Sequence, residues 1–202
     1  MGTEPYFLSV DADFFDVLDH KKKEDMRRWL DRMTEVAHGE SIPVSACMNH
    51  QQMLPVINNS RARHLVNLDQ HSDLDNHWHC KSLHCGSWVN YVKWRFEGSY
   101  MWVRTGNDKI TSMVDGDCGY HFDAVPGTPD ALAHQWGTLK DMFVWEYPDP
   151  GMMARGAMEI MVCMSPAFSY WTDTFREWVR DHDIPYKKGR IMEDQSVNRR
   201  PR

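Results

Sequence analysis

The chain has 202 residues, 42% hydrophobic and 26% charged, and its 23 Lys and Arg against 29 Asp and Glu give a net charge of −6. That length and balance suit one globular domain able to bury a core without disulfide or metal staples, and net acidity argues against general nucleic-acid binding. No apolar run nears the roughly 18 residues of a membrane helix, and the first residues lack the basic and apolar regions of a signal peptide. Five Cys, an odd and low count, predict a reducing, cytoplasmic setting rather than a disulfide scaffold.

In chain order, Tyr6 to Val10 is a short apolar, β-prone run, read as a buried strand that ends in Asp11-Ala12-Asp13. Met26, Trp29, Leu30, Met33 and Val36 then mark one stripe of an amphipathic helix over 24–38, stopped by Gly39. A second strand is predicted at 42–48. A weaker helix follows at 50–58, because Pro55 is tolerated only near a helix start. Residues 64–68 form a third strand and run straight into Asp69-Gln70-His71-Ser72-Asp73. Trp88, Val89, Val92 and Phe96 suggest a helix over 87–97, and 100–103 a strand. Residues 104–135, rich in Gly, Asp, Pro and Thr, read as loop with at most one strand before Asp115. Two further strands are expected at 142–145 and 159–164. Thr174 and Glu177 have the spacing of a capping box that opens a helix through about His182.

Strands alternating with helices argue for an α/β domain with a largely parallel sheet. There is no internal repeat and no clear linker, so residues 1–186 are taken as one domain. The tail, 187–202, holds Lys187, Lys188, Arg190, Arg199, Arg200 and Arg202 against Glu193 and Asp194, a net +4 that leaves the body at −10. It is nearly devoid of apolar residues and is expected to be flexible. Only there is a nucleic-acid contact envisaged.

The strongest chemical signal is Asp69-x-His71-x-Asp73 directly after an apolar strand. Alternate residues of an extended chain point to the same side, so the three can converge on one point, and sites of open α/β sheets lie at the carboxyl ends of strands. Carboxylates with imidazole suit Mn, Fe, Zn or Co. The competing reading is a polar turn in which an Asp caps the next helix and His71 satisfies a backbone group. Asp11-x-Asp13 repeats the pattern at the end of another strand, where an N-cap pair is again the plainer reading. If the two motifs meet, four carboxylates would repel one another unless a cation neutralised them.

These segments, LSVDADFFD, NHQQMLPVINNSRARHLVNLDQHSDLD and LHCGSWVNYV, with EIMVCMSPAF more weakly, resemble the UPF0489 family, a branch of the arginase/histone-deacetylase-like, or ureohydrolase-type, superfamily. The resemblance implies a three-layer α/β domain with a mainly parallel sheet. It implies Asp11, Asp13, His50, Asp69, His71 and Asp73 as metal ligands, with Asp69 and Asp11 bridging two ions, most naturally Mn2+. It also implies His84 as the group that relays a proton to the leaving nitrogen. The segment around it reads as a loop over the site, with His77, His79 and Ser87 taken as substrate contacts. A single Zn2+ or Fe2+ held by Asp69, His71 and Asp11 is the alternative. The implied activity is that of a metallohydrolase attacking a C–N bond of an amide or amidino-type substrate through a metal-bridged hydroxide. The other class kept open is a metal-stabilised binding or regulatory protein without turnover. In arginases the Asp-x-Asp strand follows the Asp-x-His-x-Asp strand, whereas here it comes first, so the resemblance also implies a circular permutation.

Rival readings are weaker. His77, His79, Cys80, His84 and Cys85 crowd one segment as in a structural zinc knot, but no paired Cys-x2-Cys element accompanies them. Cys85 before a helix could be an activated thiol. Asp115-Gly116-Asp117 lacks the distant Glu of a calcium loop. Glu146 and Glu159 are further candidate carboxylates at strand ends.

Overall fold

Side-chain alternation along short parallel strands sets the architecture. The structure, a computed structural model, describes residues 4–15, 22–71, 73, 85–95, 97–105, 136, 138–144, 146–165 and 172–187. Strands β1 (Tyr6–Asp11), β2 (Val44–Cys47), β3 (His64–Leu68), β4 (Ser99–Thr105), β5 (Thr138–Val144), β6 (Ala157–Cys163) and β7 (Tyr186–Lys187) form one seven-stranded sheet in the order β5-β4-β3-β1-β6-β2-β7. Every pairing is parallel. The expected α/β fold with a parallel sheet is therefore present.

Leu8, Val10, Val44, Ala46, Val66, Leu68, Val103, Ile160 and Val162 line one face of the sheet. Against them pack α1 (Lys22–Gly39), α3 (Pro150–Gly156) and α4 (Thr172–Asp181). The stripe Met26, Trp29, Leu30, Met33 and Ala37 is the buried side of α1, as its helical spacing requires. Phe175 and Trp178 of α4 join the same core. Trp178 Nε1 donates to Thr34 Oγ1 at 3.1 Å, and Arg27 bridges to Asp181 at 2.9 Å, so α1 and α4 are tied by polar as well as apolar contacts.

Phe7, Cys47, Leu65, Tyr100, Trp102, Met161 and Cys163 line the opposite face. They are covered by Met53, by Leu54 and Ile57 of the short α2 (Leu54–Ile57), and by Trp88, Val89, Val92, Trp94 and Trp136. Gly98 lets this layer close onto the sheet. A Cβ there would stand 2.6 Å from the Arg63 carbonyl and would run into the Trp94 ring.

Several expectations need correction. Residues 87–97 are not an α-helix: Cys85–Tyr91 is a 3₁₀ helix, followed by a turn. Just past its end the Val92 N–H donates to the Val89 carbonyl at 3.3 Å, and both side chains are buried. Helix α4 begins at Thr172, ahead of the proposed capping box. Thr174 lies on its buried side, and its hydroxyl has no partner among the described residues. β5 starts at Thr138, four residues early, because it pairs along the whole of β4. α3 and β7 were not anticipated. α3 is opened by Asp149, whose carboxylate accepts the Met152 N–H at 2.6 Å, with Pro150 in the first turn. Among the described residues no helix is long and apolar enough to cross a membrane.

Candidate metal centre

From β1 the chain crosses by α1 toward β2 on one side, and from β3 it proceeds to β4 on the other. The carboxyl ends of the neighbouring β1 and β3 therefore flank a point where the winding reverses, the place at which open α/β sheets leave a crevice. Both carboxylate motifs sit there. Phe7, Ser9 and Asp11 share a face of β1, as do Leu65 and Asn67 of β3 with Asp69 beyond them. Val10 pairs with Leu68, so Asp11 and Asp69 emerge side by side.

Each leading aspartate holds its own turn with one oxygen. Asp11 Oδ1 accepts the Asp13 N–H at 2.9 Å, and Asp69 Oδ1 accepts the His71 N–H at 2.8 Å. The turn therefore leaves Asp11 Oδ2 free to face a ligand, whereas Asp69 Oδ1 both holds its turn and faces His71. The turns bring Asp13 and His71 together, with His71 Nδ1 3.1 Å from Asp13 Oδ2 and 3.6 Å from Asp69 Oδ1.

The second oxygens point to His50, which opens a 3₁₀ turn (His50–Gln52) after β2. The Gln52 side chain accepts the Met48 and Asn49 N–H groups at 2.9 and 3.2 Å and fixes that turn. His50 Nε2 lies 3.1 Å from Asp11 Oδ2 and 3.8 Å from Asp69 Oδ2, while Nδ1 lies 3.4 Å from Asp73 Oδ2. Asp73 reaches this position through a left-handed backbone, φ 53°, a conformation Asp adopts more readily than most residues. Trp88 holds it there: Nε1 donates to Asp73 Oδ2, and the indole stacks on His50 with centroids 5.4 Å apart and planes at 15°.

Asp11, Asp13, His50, Asp69 and Asp73 are all buried, whereas the His71 side chain is 34% exposed. Burial pushes the Asp11 carboxyl well up, and the charges of Asp13 and Asp69 add to it. Asp13 is raised by burial and by Asp69. Asp73 is raised well up by burial, then by Asp69. Burial acts on Asp69 the same way but is outweighed by the His71 bond and the charges of His50 and His71, which leave it lowered. Burial opposes charge on His71, yet its bonds to Asp13 and Asp69 prevail and push it up to about 12. His50 is raised despite burial, through Cys163 and then Asp69 and Asp13.

This donor set fits a divalent cation. Four buried carboxyls face two imidazoles, so the fully ionised centre carries an excess of negative charge even with both rings protonated. A buried excess of that kind calls for a counter-ion. His50 Nε2, fully buried, has no hydrogen-bond partner among the described residues, because the close Asp11 oxygen lies off the hydrogen-bonding line. Three overlapping groups could hold an ion: Asp13, Asp69 and His71; His50, Asp69 and Asp73; and Asp11, His50 and Cys163, with ligand atoms within 4.8 Å of one another in each.

The six residues expected as ligands therefore lie together in these overlapping groups. His77, His79 and His84 lie outside the described residues, as do Cys80, Cys118 and the Asp115–Asp117 motif. Ser87 is buried in the 3₁₀ helix beside Trp88. Glu159 belongs to the opposite end of the sheet, since it pairs with Phe7 in the first half of β6, and Glu146 is exposed beyond the edge strand β5. Neither joins the centre.

The residues that orient the ligands were not foreseen. Asn67 Nδ2 donates to Asp69 Oδ2 at 3.3 Å, Trp102 Nε1 donates to the Asp69 carbonyl at 2.9 Å, and the Ser165 hydroxyl donates to Asp11 Oδ2. Asn67 carried a signal, being a lone amide inside an apolar strand. No protein-family model, no curated protein and no solved structure matches the chain.

Proposed function

We propose that the protein is a metal-dependent hydrolase that cleaves a C–N bond of an amide or amidino-type substrate at two divalent cations. The observation that carries this reading is Asp69. One of its oxygens faces Asp13 and His71, the other faces His50, and the carboxylate belongs to two of the ligand groups. A carboxylate shared in this way suits a pair of ions in adjacent positions. Asp13 and His71 would hold the outer ion, His50 and Asp73 the inner one, with Asp11 beside His50. Oxygen donors dominate, which favours Mn2+. Bound there, the cations would supply Lewis acidity and lower the pKa of a water molecule toward neutrality.

The chain's own residues supply the rest. Trp88, Asn67 and Ser165 orient Asp73, Asp69 and Asp11. Burial of five of the six ligands keeps bulk water from the inner side. The exposed edge of His71 marks the open side, from which a trigonal carbon can approach. The motif pair also supports a circularly permuted relative of the arginase-like fold, because β1 and β3 are neighbours whichever comes first in the chain.

Metal analysis of protein purified without chelator tests the reading first, with one to two ions per chain expected. Fewer than one would refute it. Asp69→Asn should abolish binding of both ions together with any amide- or guanidino-hydrolysing activity found in the wild type. If it abolishes metal binding and leaves every function of the protein intact, a metal-stabilised binding protein replaces the hydrolase.

A further inference from the structure

Asp69, Asp11, Cys163 and Cys47 form a row across β3, β1, β6 and β2 at the carboxyl edge of the sheet. Asp11 pairs with Cys163 and Cys163 with Cys47, while Asp69 follows the Leu68 that pairs beside Val10. Alternation turns Cys163 to the face that carries His50. Its thiol is fully buried and lies 3.3 Å from the Ser165 hydroxyl, which in turn donates to Asp11. A sulfur, a carboxylate oxygen and an imidazole nitrogen therefore lie within 4.8 Å of one another. The nitrogen supplies the independent observation. With His50 Nδ1 turned toward Asp73, Nε2 faces Asp11 as a buried atom without a hydrogen-bond partner among the described residues.

Resting on the two-ion reading above, we infer that Cys163 is a seventh metal ligand, a thiolate donor that makes the inner position a zinc site, distinct from the oxygen-rich outer position. Thiolate with imidazole and a carboxylate is a donor set that Zn2+ accepts, whereas Mn2+ and Mg2+ prefer carboxylate, carbonyl and water. As the sulfur–metal bond forms, the S–H proton leaves to solvent. The outer group, Asp13, Asp69 and His71, contains no sulfur and keeps its preference for harder ions. The two positions thus differ in softness, and the protein sorts two metals between them.

The test is spectroscopic and uses the full chain, stripped with chelator and titrated with Co2+ or Zn2+ alone. Cobalt should give a near-ultraviolet thiolate-to-metal charge-transfer band that Cys163→Ser removes and Cys47→Ser retains. Zinc-edge absorption of the wild type should contain a sulfur shell at about 2.3 Å, a readout that stands even if Cys163→Ser fails to fold. Cys163→Ser should weaken Zn2+ binding by at least ~10–100-fold, the loss typical of even an outer-sphere metal partner, and change Mn2+ binding far less. Stoichiometric binding without a charge-transfer band or sulfur shell overturns the inference and leaves the metal centre standing. A band lost only in Cys47→Ser also overturns it. Failure to bind either ion removes the metal centre itself.

Discussion

Trp88 offers the sharpest test of how the centre is built, because it touches two ligands and is none itself. It is fully buried, donates to Asp73 and stacks on His50. Trp88→Phe keeps an aromatic ring over His50 and deletes the donor, so Asp73 loses the bond that holds its carboxylate toward the imidazole. Partners of this kind are worth about 10–100-fold in metal affinity, or about 1.4–2.7 kcal/mol. At a fixed saturating metal concentration the stabilisation by metal falls by the same amount. For a chain of this length each kcal/mol moves Tm by about 2–4 °C, so the metal-induced rise in Tm should shrink by about 3–11 °C. The smaller ring also leaves a void, but that loss appears equally in metal-free protein and cancels when each variant is compared with its own chelated form. Calorimetric titration with Zn2+ gives the affinity and thermal unfolding with and without metal gives the increment. A metal affinity within twofold of wild type, beside a lowered Tm of the metal-free form, would show that Trp88 only fills space.

Two further outcomes follow from the same structure. Asp11, Asp13 and Asp73 have raised values, and so do His50 and His71; what each contributes is full below its unfolded value, about 4 for Asp and 6.5 for His, and is lost as pH rises through the folded value. Asp69 is lowered and acts oppositely, but its loss falls below the ordinary carboxylate range. Chelated protein should therefore unfold at lower temperature at pH 8 than at pH 5.5, whereas with Mn2+ the trend should reverse, since protons and metal compete for the same groups; a chelated form that gains stability across that window contradicts the assignment of buried charge. Gly98→Ala forces a Cβ to 2.6 Å from the Arg63 carbonyl, which accepts the Ser99 N–H at the start of the β3–β4 pairing. Overpacking of this sort costs about 1–3 kcal/mol, read as a Tm lower by about 2–12 °C with metal affinity unchanged; a neutral effect would mean that the Trp94 layer yields freely.

The central strands and five of the six candidate ligands were legible because simple periodicities govern them. An apolar run ending in spaced acids specifies both a strand and what lies at its tip, so Tyr6–Asp11 and His64–Leu68 came within a residue of their observed bounds. His50 carried no such signal, since one His after a strand has no periodicity to identify it. The 3₁₀ helix at Cys85–Tyr91 was misread because Trp88, Val89 and Val92 fit a helical stripe equally well; tertiary anchoring of Trp88 decides between the two. α3 was missed although Asp149-Pro150 is a start signal, because seven residues containing two Gly have no apolar stripe. Nothing in the sequence around Cys163 marks it, since only strand pairing puts it beside Asp11.

That pairing bears on the order of the two acidic motifs along the chain. The geometry of the centre depends on which strand tips are neighbours, not on which is synthesised first. Hydrogen bonding of β1 to β3 puts Asp11 next to Asp69. Crossovers that leave β1 and β3 in opposite directions hold helices and neighbouring strands back from the gap between their tips. A chain opened at another loop would keep both conditions as long as the sheet order survived. The order of the motifs therefore says nothing against a shared centre. What would be decisive is their register. A one-residue slip of β1 against β3 turns Asp11 to the α1 face, separates it from His50 and Cys163, displaces Asp13 from the outer group, and leaves Asp69 with His50 and Asp73 alone.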